Sequence, residues 1–367
     1  MIYTSLAYVL ILSCVAYFCY EYCSNKNKNV IDANSGFYLS IPTCVAIKGI
    51  AAIIIVCHHY TLYRYEYVDH NWFTSLIALN GGNFALVLFL FLSGYGITKS
   101  ELITPNTISS FTKKRIWKIL RPCLIIYFIT FICYSFLGFR NILETDIKTN
   151  HLNPFIIDIS SHNFSLKLLM EWFFIKMDWY VYTTLVMYIL FFASVLLFPK
   201  DKVLFRRMLF FTAIVAVYYL IMFLMLPHSF AHYYRNLWAF VLGVFVANKP
   251  TYFTSNKTMG IVIMGGGMLF NCIQEGKLYA LTGFVAIIIL SLLGYTNYKH
   301  DVNSKIFVVL GGLSYYLYLC HRMFYNIMWA CDILYFPLFI IFSILFAYSY
   351  MRCTHIKWPG KNGLSAK

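Results

Sequence analysis

The sequence predicts an all-α, polytopic helical membrane protein, and three observations support this fold class. First, 60% of the 367 residues are apolar and only 12% are charged, whereas soluble domains carry about 25% charged residues. Second, apolar runs close to the roughly 20 residues that a helix needs to cross a bilayer recur along the chain. Third, these runs are continuously apolar rather than alternating, which disfavours a transmembrane β-barrel. A soluble enzyme, a disordered regulator and a nucleic-acid-binding module are therefore excluded.

The apolar runs predict eleven membrane spans. They are Ile2–Tyr20, Ile41–Leu62, Asn80–Thr98, Lys118–Phe139, Trp179–Phe198, Met208–Leu226, Ala231–Ala247, Thr258–Cys272, Leu278–Tyr295, Ile306–Trp329 and Ile333–Tyr350. We therefore divide the chain into an extra N-terminal helix with a cytoplasmic linker (1–40), a membrane core of ten helices (41–350) and a basic cytoplasmic tail (351–367).

The positive charges predict the orientation of the chain. Most of the 29 lysines and arginines fall in one set of alternate loops and in the C-terminal tail. The positive-inside rule makes that set cytoplasmic, which places the C-terminus inside and, with eleven spans, the N-terminus outside. The formal net charge of +15 is then explained by cytoplasmic loops beside anionic lipid headgroups, with no nucleic-acid partner.

Two histidines stand near the end of the second predicted span, in Ile47–Tyr60, IKGIAAIIIVCHHY. Lys48 and His59 are eleven residues apart, about three helical turns, so they share one face and lie roughly 16 Å apart along the axis. His58 is rotated about 100° from His59. Because a histidine inside a membrane helix is costly to bury, we predict a functional role for His59. The alternative is an interfacial histidine that hydrogen-bonds to lipid or a neighbouring helix.

A third histidine occurs in Ser314–Arg322, SYYLYLCHR. Ser314, Tyr318 and His321 follow i, i+4, i+7 spacing and therefore share one helix face. His321 falls in the outer half of its predicted span, as His59 does. Two intramembrane histidines at one depth favour a shared site, and the alternative for His321 is a packing or helix-pairing role.

The stretch Ser93–Gly96, SGYG, lies near the cytoplasmic end of the third predicted span. Its glycines could bring the backbone close to a ligand or to another helix. In membrane helices, small residues most often serve close packing, so both interpretations stay open at this stage.

The densest basic cluster is Lys113–Pro122, KKRIWKILRP, at the cytoplasmic start of a predicted span. Its charges suit the phosphates of a nucleotide-containing ligand or anionic lipid heads. The positive-inside rule alone also predicts such a cluster. We predict no metal site, because His228 and His232, four residues apart at a loop–helix junction, have no carboxylate or cysteine cluster nearby in sequence.

Taken together and in this order, the segments resemble the acyltransferase family 3, integral membrane enzymes that move acyl groups onto carbohydrates, lipids and other acceptors. The matching phrases are KGIAAIIIVCHH from Lys48 to His59, LFLFLSGYGI ending at Ile97, KKRIWKILRP, the helix from Trp179-Tyr180 to Tyr188, FVLGVF at Phe240–Phe245, and SYYLYLCH at Ser314–His321. The resemblance spans about Ile41 to Tyr350, with ten spans, as in the core of that family.

Three positions depart from the family pattern. Lys48 stands where the family typically has arginine, which keeps the charge but loses bidentate geometry. Val87 stands where many members carry an aspartate. The Arg-x-x-Arg pair of the family is present only as Arg115-x-x-Lys118 or Lys118-x-x-Arg121.

The resemblance implies an O-acyltransferase that uses cytosolic acyl-CoA, most simply acetyl-CoA, as co-substrate and binds no cofactor permanently. The acceptor is expected to be a hydroxyl of an extracytoplasmic glycan or glycolipid, and the location a bacterial inner membrane. The candidate residues are His59 and His321 for catalysis; Lys48, Ser93, Arg115, Lys118 and Arg121 for the acyl-CoA; and Trp179, Tyr180, Arg235 and Tyr318 for the acceptor.

Within that expectation, His59 is the general base, and transfer through an acyl-histidine is left open beside direct transfer. The long external loop Arg140–Asp178 is expected to influence acceptor choice, or else to anchor the chain at the membrane surface. Membrane lipid is an expected partner, and a homo-oligomer stays open. The alternative function is a transporter or flippase for an anionic lipid-linked substrate, although no internal repeat supports it.

Overall fold

The computed structural model describes residues 2–25, 39–67, 72–103, 107–136, 179–199, 204–226, 228–248, 277–297, 300–302, 304–330 and 335–354. These residues form helices and short connections, and none of them lies in a β-strand. The helices are α1 (Ile2–Ser24), α2 (Ile41–Tyr67), α3 (Trp72–Ile103), α4 (Ile108–Phe111), α5 (Trp117–Phe136), α6 (Trp179–Leu197), α7 (Leu204–Met225), α8 (Leu237–Asn248), α9 (Lys277–Thr296), α10 (Lys305–Ala330) and α11 (Phe336–Cys353). A π-helical turn, Thr112–Ile116, joins α4 to α5, and a 3-10 helix, His228–Tyr233, precedes α8.

Eight helical stretches of the described residues are long and apolar enough to cross a membrane, which confirms the polytopic all-α class. They are Ser5–Ser24, Ile41–Leu62, Ser75–Ser100, Ile108–Cys133, Trp179–Leu197, Arg206–Met225, Lys305–Met328 and Phe336–Cys353. Each overlaps a span predicted from the sequence. A shorter apolar stretch, Leu281–Gly294, lies within α9 where a further span is predicted.

One predicted span differs in the structure. Ala231–Ala247 is not one continuous helix, because its first residues belong to the 3-10 helix and α8 begins only at Leu237 and has 12 residues. The amides of Tyr234 and Arg235 both donate to the carbonyl of Ala231, at 3.1 and 2.9 Å, which closes a tight turn before α8. Four predicted segments lie wholly or mostly outside the described residues. They are the span Thr258–Cys272, the loop Arg140–Asp178, the linker (its residues 26–38) and the tail (its residues 355–367).

The chain divides into two compact units. The first comprises the described residues of Met1–Lys99, Trp238–Arg322 and Tyr335–Lys367. The second comprises those of Ser100–Leu237 and Met323–Leu334. Both histidines predicted for catalysis, His59 and His321, belong to the first unit. The basic cluster Lys113–Pro122 belongs to the second.

In the first unit, α3 and α8 cross through a reciprocal pair of glycines. A Cβ on Gly94 would collide with the carbonyl oxygen of Phe240, and a Cβ on Gly243 would collide with the carbonyl oxygen of Phe91. Membrane helices associate mainly through such close van der Waals packing, because lipid leaves little hydrophobic driving force between them. Gly94 of the SGYG stretch therefore serves contact with another helix.

We expect Gly94→Ala to lower the free energy of unfolding by about 1–3 kcal/mol, the usual cost of overpacking. Gly96→Ala is the matched control, because Gly96 is exposed and a Cβ there meets nothing within 4 Å. The measurement is the midpoint of thermal loss of the monodisperse protein in detergent. Equal midpoints for the two variants would contradict the packing role of Gly94.

A polar network at one end of the first unit joins α1 to the turn between α9 and α10. The amide of Asp301 donates to the carbonyl of Asn25 at 3.1 Å, and the hydroxyl of Tyr22 donates to the carbonyl of Leu293 at 3.0 Å. The Asp301 carboxylate accepts from the hydroxyls of Ser40 at 2.5 Å and Thr43 at 2.9 Å. Buried polar groups need such partners, and these bonds hold both α1 and the start of α2 against the same turn.

The second unit contains α4 to α7, the π-helical turn and the 3-10 helix, together with the last residues of α3 and of α10. The neighbouring helices α6 and α7 pack together, with the ring of Phe191 edge-on to that of Phe211 at 5.7 Å. Phe111 of α4 stacks on Phe192 of α6 at 4.0 Å. The guanidinium of Arg207, which is 6% exposed, donates two hydrogen bonds to the carbonyl of Phe198 and so satisfies a carbonyl at the end of α6.

Candidate active site

Two intramembrane histidines that are far apart in sequence meet in the first unit. α2 carries His59 and α10 carries His321, and the centroids of their rings are 5.1 Å apart with the ring planes inclined at 35°. His321 is 3% exposed, whereas His59 is half-buried. The structure thus brings together the two residues predicted for catalysis and leaves His59 the less buried of them.

Helix α11 supports this pair from behind through the residues next to each histidine. Tyr60 follows His59, and its ring packs against Phe336 and Phe339 at 4.9 and 5.8 Å. Cys320 precedes His321, and its thiol donates to the carbonyl of Ser343 on α11 at 3.5 Å. Because each neighbour of the pair is held by α11, both imidazole rings are fixed on well-packed backbone.

One nitrogen of His321 is held by its own helix. The Nδ1 of His321 lies 3.1 Å from the carbonyl of Leu317, one turn earlier. A carbonyl only accepts, so Nδ1 carries the proton of the neutral ring and Nε2 carries the lone pair. Nε2 is buried and has no hydrogen-bond partner in the structure. Neutral His321 can therefore accept a proton or a hydrogen bond at Nε2 but cannot donate one there.

The ring of His58 lies beside that of His59, with centroids 4.9 Å apart, but its hydrogen bond goes to a different helix. Its Nδ1 lies 3.0 Å from the carbonyl of Ile77 on α3, and its ring packs on two glycines of that helix. A Cβ on Gly82 would lie 2.6 Å from the Nε2 of His58, and a Cβ on Gly81 would lie 3.3 Å from its Cβ. This agrees with the rotation of about 100° between adjacent helical residues and gives His58 a role in packing α2 on α3.

Tyr318 and Ser314 line the same face of α10 as His321, as their spacing predicts. Tyr318 is 6% exposed and its ring centroid lies 5.9 Å from that of His321. Ser314 is 5% exposed and donates to the carbonyl of Gly311 at 2.8 Å. Tyr318 is therefore close enough to act beside the histidine pair, whereas the hydroxyl proton of Ser314 is used within the helix.

Lys48 and Ser93 lie at the other end of the first unit from the histidines. Lys48 is half-buried on α2, roughly 16 Å from His59 along the helix axis. The amide of Leu39, just before α2, donates to the hydroxyl of Tyr95 on α3 at 3.2 Å. That contact places Ser93, two residues away and 9% exposed, near the Lys48 end of α2. The two residues of this unit that are predicted to bind acyl-CoA therefore lie at the same end of the unit.

The other residues predicted to bind acyl-CoA belong to the second unit. Arg115 lies in the π-helical turn, and Lys118 and Arg121 follow in α5 with exposed side chains. Pro122 has no N–H to pair with the carbonyl of Lys118, which further interrupts regular α-helical bonding here. Single π-helical turns inside α-helices are frequent at functional sites. Nothing in the residue pattern alone predicts this turn.

The residues predicted to bind the acceptor, Trp179, Tyr180 and Arg235, also belong to the second unit. The ring of Trp179 is edge-on to that of His232 in the 3-10 helix, with centroids 5.1 Å apart. Thr183 donates to the carbonyl of Tyr233 at 3.1 Å, which fixes the 3-10 helix against α6. Tyr180 is 8% exposed, so its ring packs inside the unit, while Trp179 and Arg235 are half-buried.

A family comparison covers most of the chain. Residues 46–352 match the family model described as an acyltransferase domain, a range that includes every candidate site residue. No curated protein and no solved structure matches the chain. The match confirms the family predicted from the six sequence phrases. The chain therefore belongs to the acyltransferase family 3 of membrane acyltransferases.

Proposed function

We propose that this protein transfers an acyl group, most simply acetyl, from cytosolic acyl-CoA to a hydroxyl of an extracytoplasmic glycan or glycolipid. The observation that carries the proposal is the His59–His321 pair, with rings 5.1 Å apart, in a chain of a membrane acyltransferase family. Histidine suits proton transfer near neutral pH, because its unperturbed pKa is about 6.5. Acyl-CoA is a co-substrate in this scheme, and no bound cofactor is required.

The reaction is a transfer from a thioester to an oxygen ester. The acceptor hydroxyl oxygen attacks the thioester carbon and forms the new C–O bond, while His59 takes the hydroxyl proton. The C–S bond then breaks, and the proton passes from His59 to the departing thiolate, which leaves as free CoA. His59 is suited to the role of base, because it is the half-buried member of the pair and so is open to substrates.

His321 and Tyr318 complete the proposed centre. With Nδ1 donating to Leu317, the free Nε2 of His321 can accept a hydrogen bond from a second hydroxyl of the acceptor, and so orient the attacking hydroxyl, whose own proton goes to His59. A donor is needed for the oxyanion that forms on the thioester carbonyl. We assign this donor role to Tyr318, whose ring lies 5.9 Å from that of His321, because neutral His321 carries no proton at Nε2.

The donor and acceptor assignments follow the side on which each residue is predicted to lie. Lys48, Ser93 and the basic residues of the π-helical turn and α5 are assigned to the polyanionic acyl-CoA, since cations favour phosphates. Trp179, Tyr180 and Arg235 are assigned to the acceptor. This requires the orientation predicted by the positive charges, with the C-terminus cytoplasmic and the N-terminus outside, in a bacterial inner membrane.

The test is mass spectrometry of surface glycans and glycolipids from a bacterial strain that lacks the gene and from the complemented strain. We expect one class of molecule to gain the mass of an acyl group only in the complemented strain. A His59→Ala strain should then lose acylation while it still exports the same glycan. Lost export of unmodified glycan in that strain would instead favour the transporter or flippase.

The donor assignment predicts a selective effect of three basic residues. Replacing Arg115, Lys118 and Arg121 together by glutamine should raise the KM for acetyl-CoA by about tenfold or more, because each lost charge-assisted bond to phosphate is worth roughly 1.5–3 kcal/mol. The KM for the acceptor should change less. The assay is acetyl transfer in membranes with matched protein amounts, and Lys113→Gln/Lys114→Gln is the neighbouring control. An unchanged KM for acetyl-CoA would limit the cluster to a role in topology.

A further inference from the structure

Helices α2 and α10 touch at two levels that share one register. Gly49 meets Gly311 at the first level, and His59 meets His321 at the second. Ten residues separate the two levels on each helix, which is about 15 Å of helix. The two contacts follow in the same order along both helices, so α2 and α10 run parallel between the glycine contact and the histidine pair.

The glycine contact joins backbone to backbone. A Cβ on Gly311 would collide with the carbonyl oxygen and the Cγ1 of Val45 and would lie 2.7 Å from the Val45 carbonyl carbon. A Cβ on Gly49 would lie 2.9 Å from the amide nitrogen of Gly311 and 2.9 Å from the Cβ of Leu310. Backbone atoms cannot rotate away as a flexible side chain can. A methyl group at Gly311 must therefore move one helix relative to the other.

A second observation indicates that the spacing between these helices matters to the chemistry. The Nε2 of His321 is an unsatisfied polar atom on a side chain that is 97% buried, and it lies on the α10 side of the histidine pair. Burying such an atom without a partner is unfavourable, so a hydroxyl group of a bound acceptor would gain a hydrogen bond at this nitrogen. Its distance to His59 depends on how closely α2 and α10 approach.

We infer that Gly49 and Gly311 are positioning residues, which set the separation of His59 and His321 and through it the rate of acyl transfer. The inference rests on the proposed function of the histidine pair. It predicts that a small change about 15 Å from the pair slows the chemical step without weakening donor binding. Misplacement of reacting groups by about 1 Å can cost 100-fold in rate.

The experiment compares Gly311→Ala with Gly312→Ala in the full-length chain in native membranes. A Cβ on Gly312 meets nothing within 4 Å, so this variant makes the same chemical change one position along without the collision. We expect Gly311→Ala to lower kcat by about 10- to 100-fold with the KM for acetyl-CoA within twofold of wild type. Gly312→Ala should keep the wild-type kcat. Equal kcat values for Gly311→Ala and wild type would overturn the inference.

A second measurement reports the helix spacing without activity. Cysteines placed at His59 and His321 are treated with a short bifunctional thiol reagent, and the joined peptides are identified by mass spectrometry. The yield of the joined pair should fall when Gly311→Ala is added and stay constant when Gly312→Ala is added. Equal yields in the two backgrounds would overturn the inference, whichever way the activity assay turns out.

The two measurements separate failure of this inference from failure of the proposed function. If the wild-type chain transfers no acyl group, the proposed function fails, and a selective loss of cross-linking in Gly311→Ala still supports the role of the glycine in helix spacing. If Gly311→Ala does not accumulate in the membrane, Gly49→Ala replaces it, because its contacts, at 2.9 Å, are less severe. Wild-type kcat and cross-linking in Gly49→Ala would then overturn the inference.

Discussion

His59→Ala is expected to lower the rate of acyl transfer by about 100- to 10,000-fold, the usual contribution of a general base. The expectation follows from the position of the ring, which is half-buried and 5.1 Å from that of His321. The assay is transfer of isotope-labelled acetyl from acetyl-CoA in membranes that contain equal amounts of wild-type and variant protein. The amount of protein inserted in the membrane should not change, because one side chain near a helix end does not decide the apolarity of the span.

His58→Ala is the matched control for this variant. It removes the same side chain from the adjacent residue, but the ring of His58 bonds the carbonyl of Ile77 and packs on Gly81 and Gly82. We expect a loss of stability from the cavity and a rate that falls by less than tenfold. If His58→Ala were as inactive as His59→Ala, or if well-expressed His59→Ala kept wild-type activity, the assignment of the base would be wrong.

The location of the histidines could be predicted because it depends on local rules. An angle of about 100° per residue is enough to direct His58 and His59 to different helices, although their rings stay 4.9 Å apart. The i, i+4, i+7 spacing is enough to align Ser314, Tyr318 and His321. The spans could be predicted for the same reason, since each depends on the apolarity of a single segment. The prediction of one continuous helix over Ala231–Ala247 was wrong, because the polar and aromatic residues before α8 form a 3-10 helix and a turn.

The contacts between distant segments could not be predicted in this way. The contact between Gly49 and Gly311 joins helices that are far apart in sequence, and the residue pattern of either helix alone does not predict it. A glycine in a membrane helix signals close approach but does not name the partner, so Gly94 fitted either a ligand or a helix until Phe240 was seen beside it. The hydrogen bond from His321 to Leu317 lies within one helix, and i, i−4 spacing could have suggested it.

Variants of His321 separate a chemical role from a packing role. His321→Asn keeps a side-chain N–H near the place of Nδ1, and so can keep the bond to the Leu317 carbonyl, but it has no atom near the place of Nε2. His321→Gln is longer and places an amide near Nε2, where its oxygen can accept a hydrogen bond. His321→Asn therefore imitates only Nδ1 of the ring, and His321→Gln imitates only Nε2.

We expect His321→Asn to lower kcat by about 100-fold, the cost that misplacement of a reacting group by about 1 Å can carry, and His321→Gln to keep more of the activity. The KM for acetyl-CoA should stay within twofold for both, because Lys48 and Ser93 lie at the other end of the unit. The measurement is the acetyl-transfer assay over a range of acetyl-CoA concentrations, with thermal midpoints recorded in parallel. If His321 only packs α10 through its bond to Leu317, His321→Asn should be the more active variant. That order of activities would contradict a role for Nε2 in orienting the acceptor.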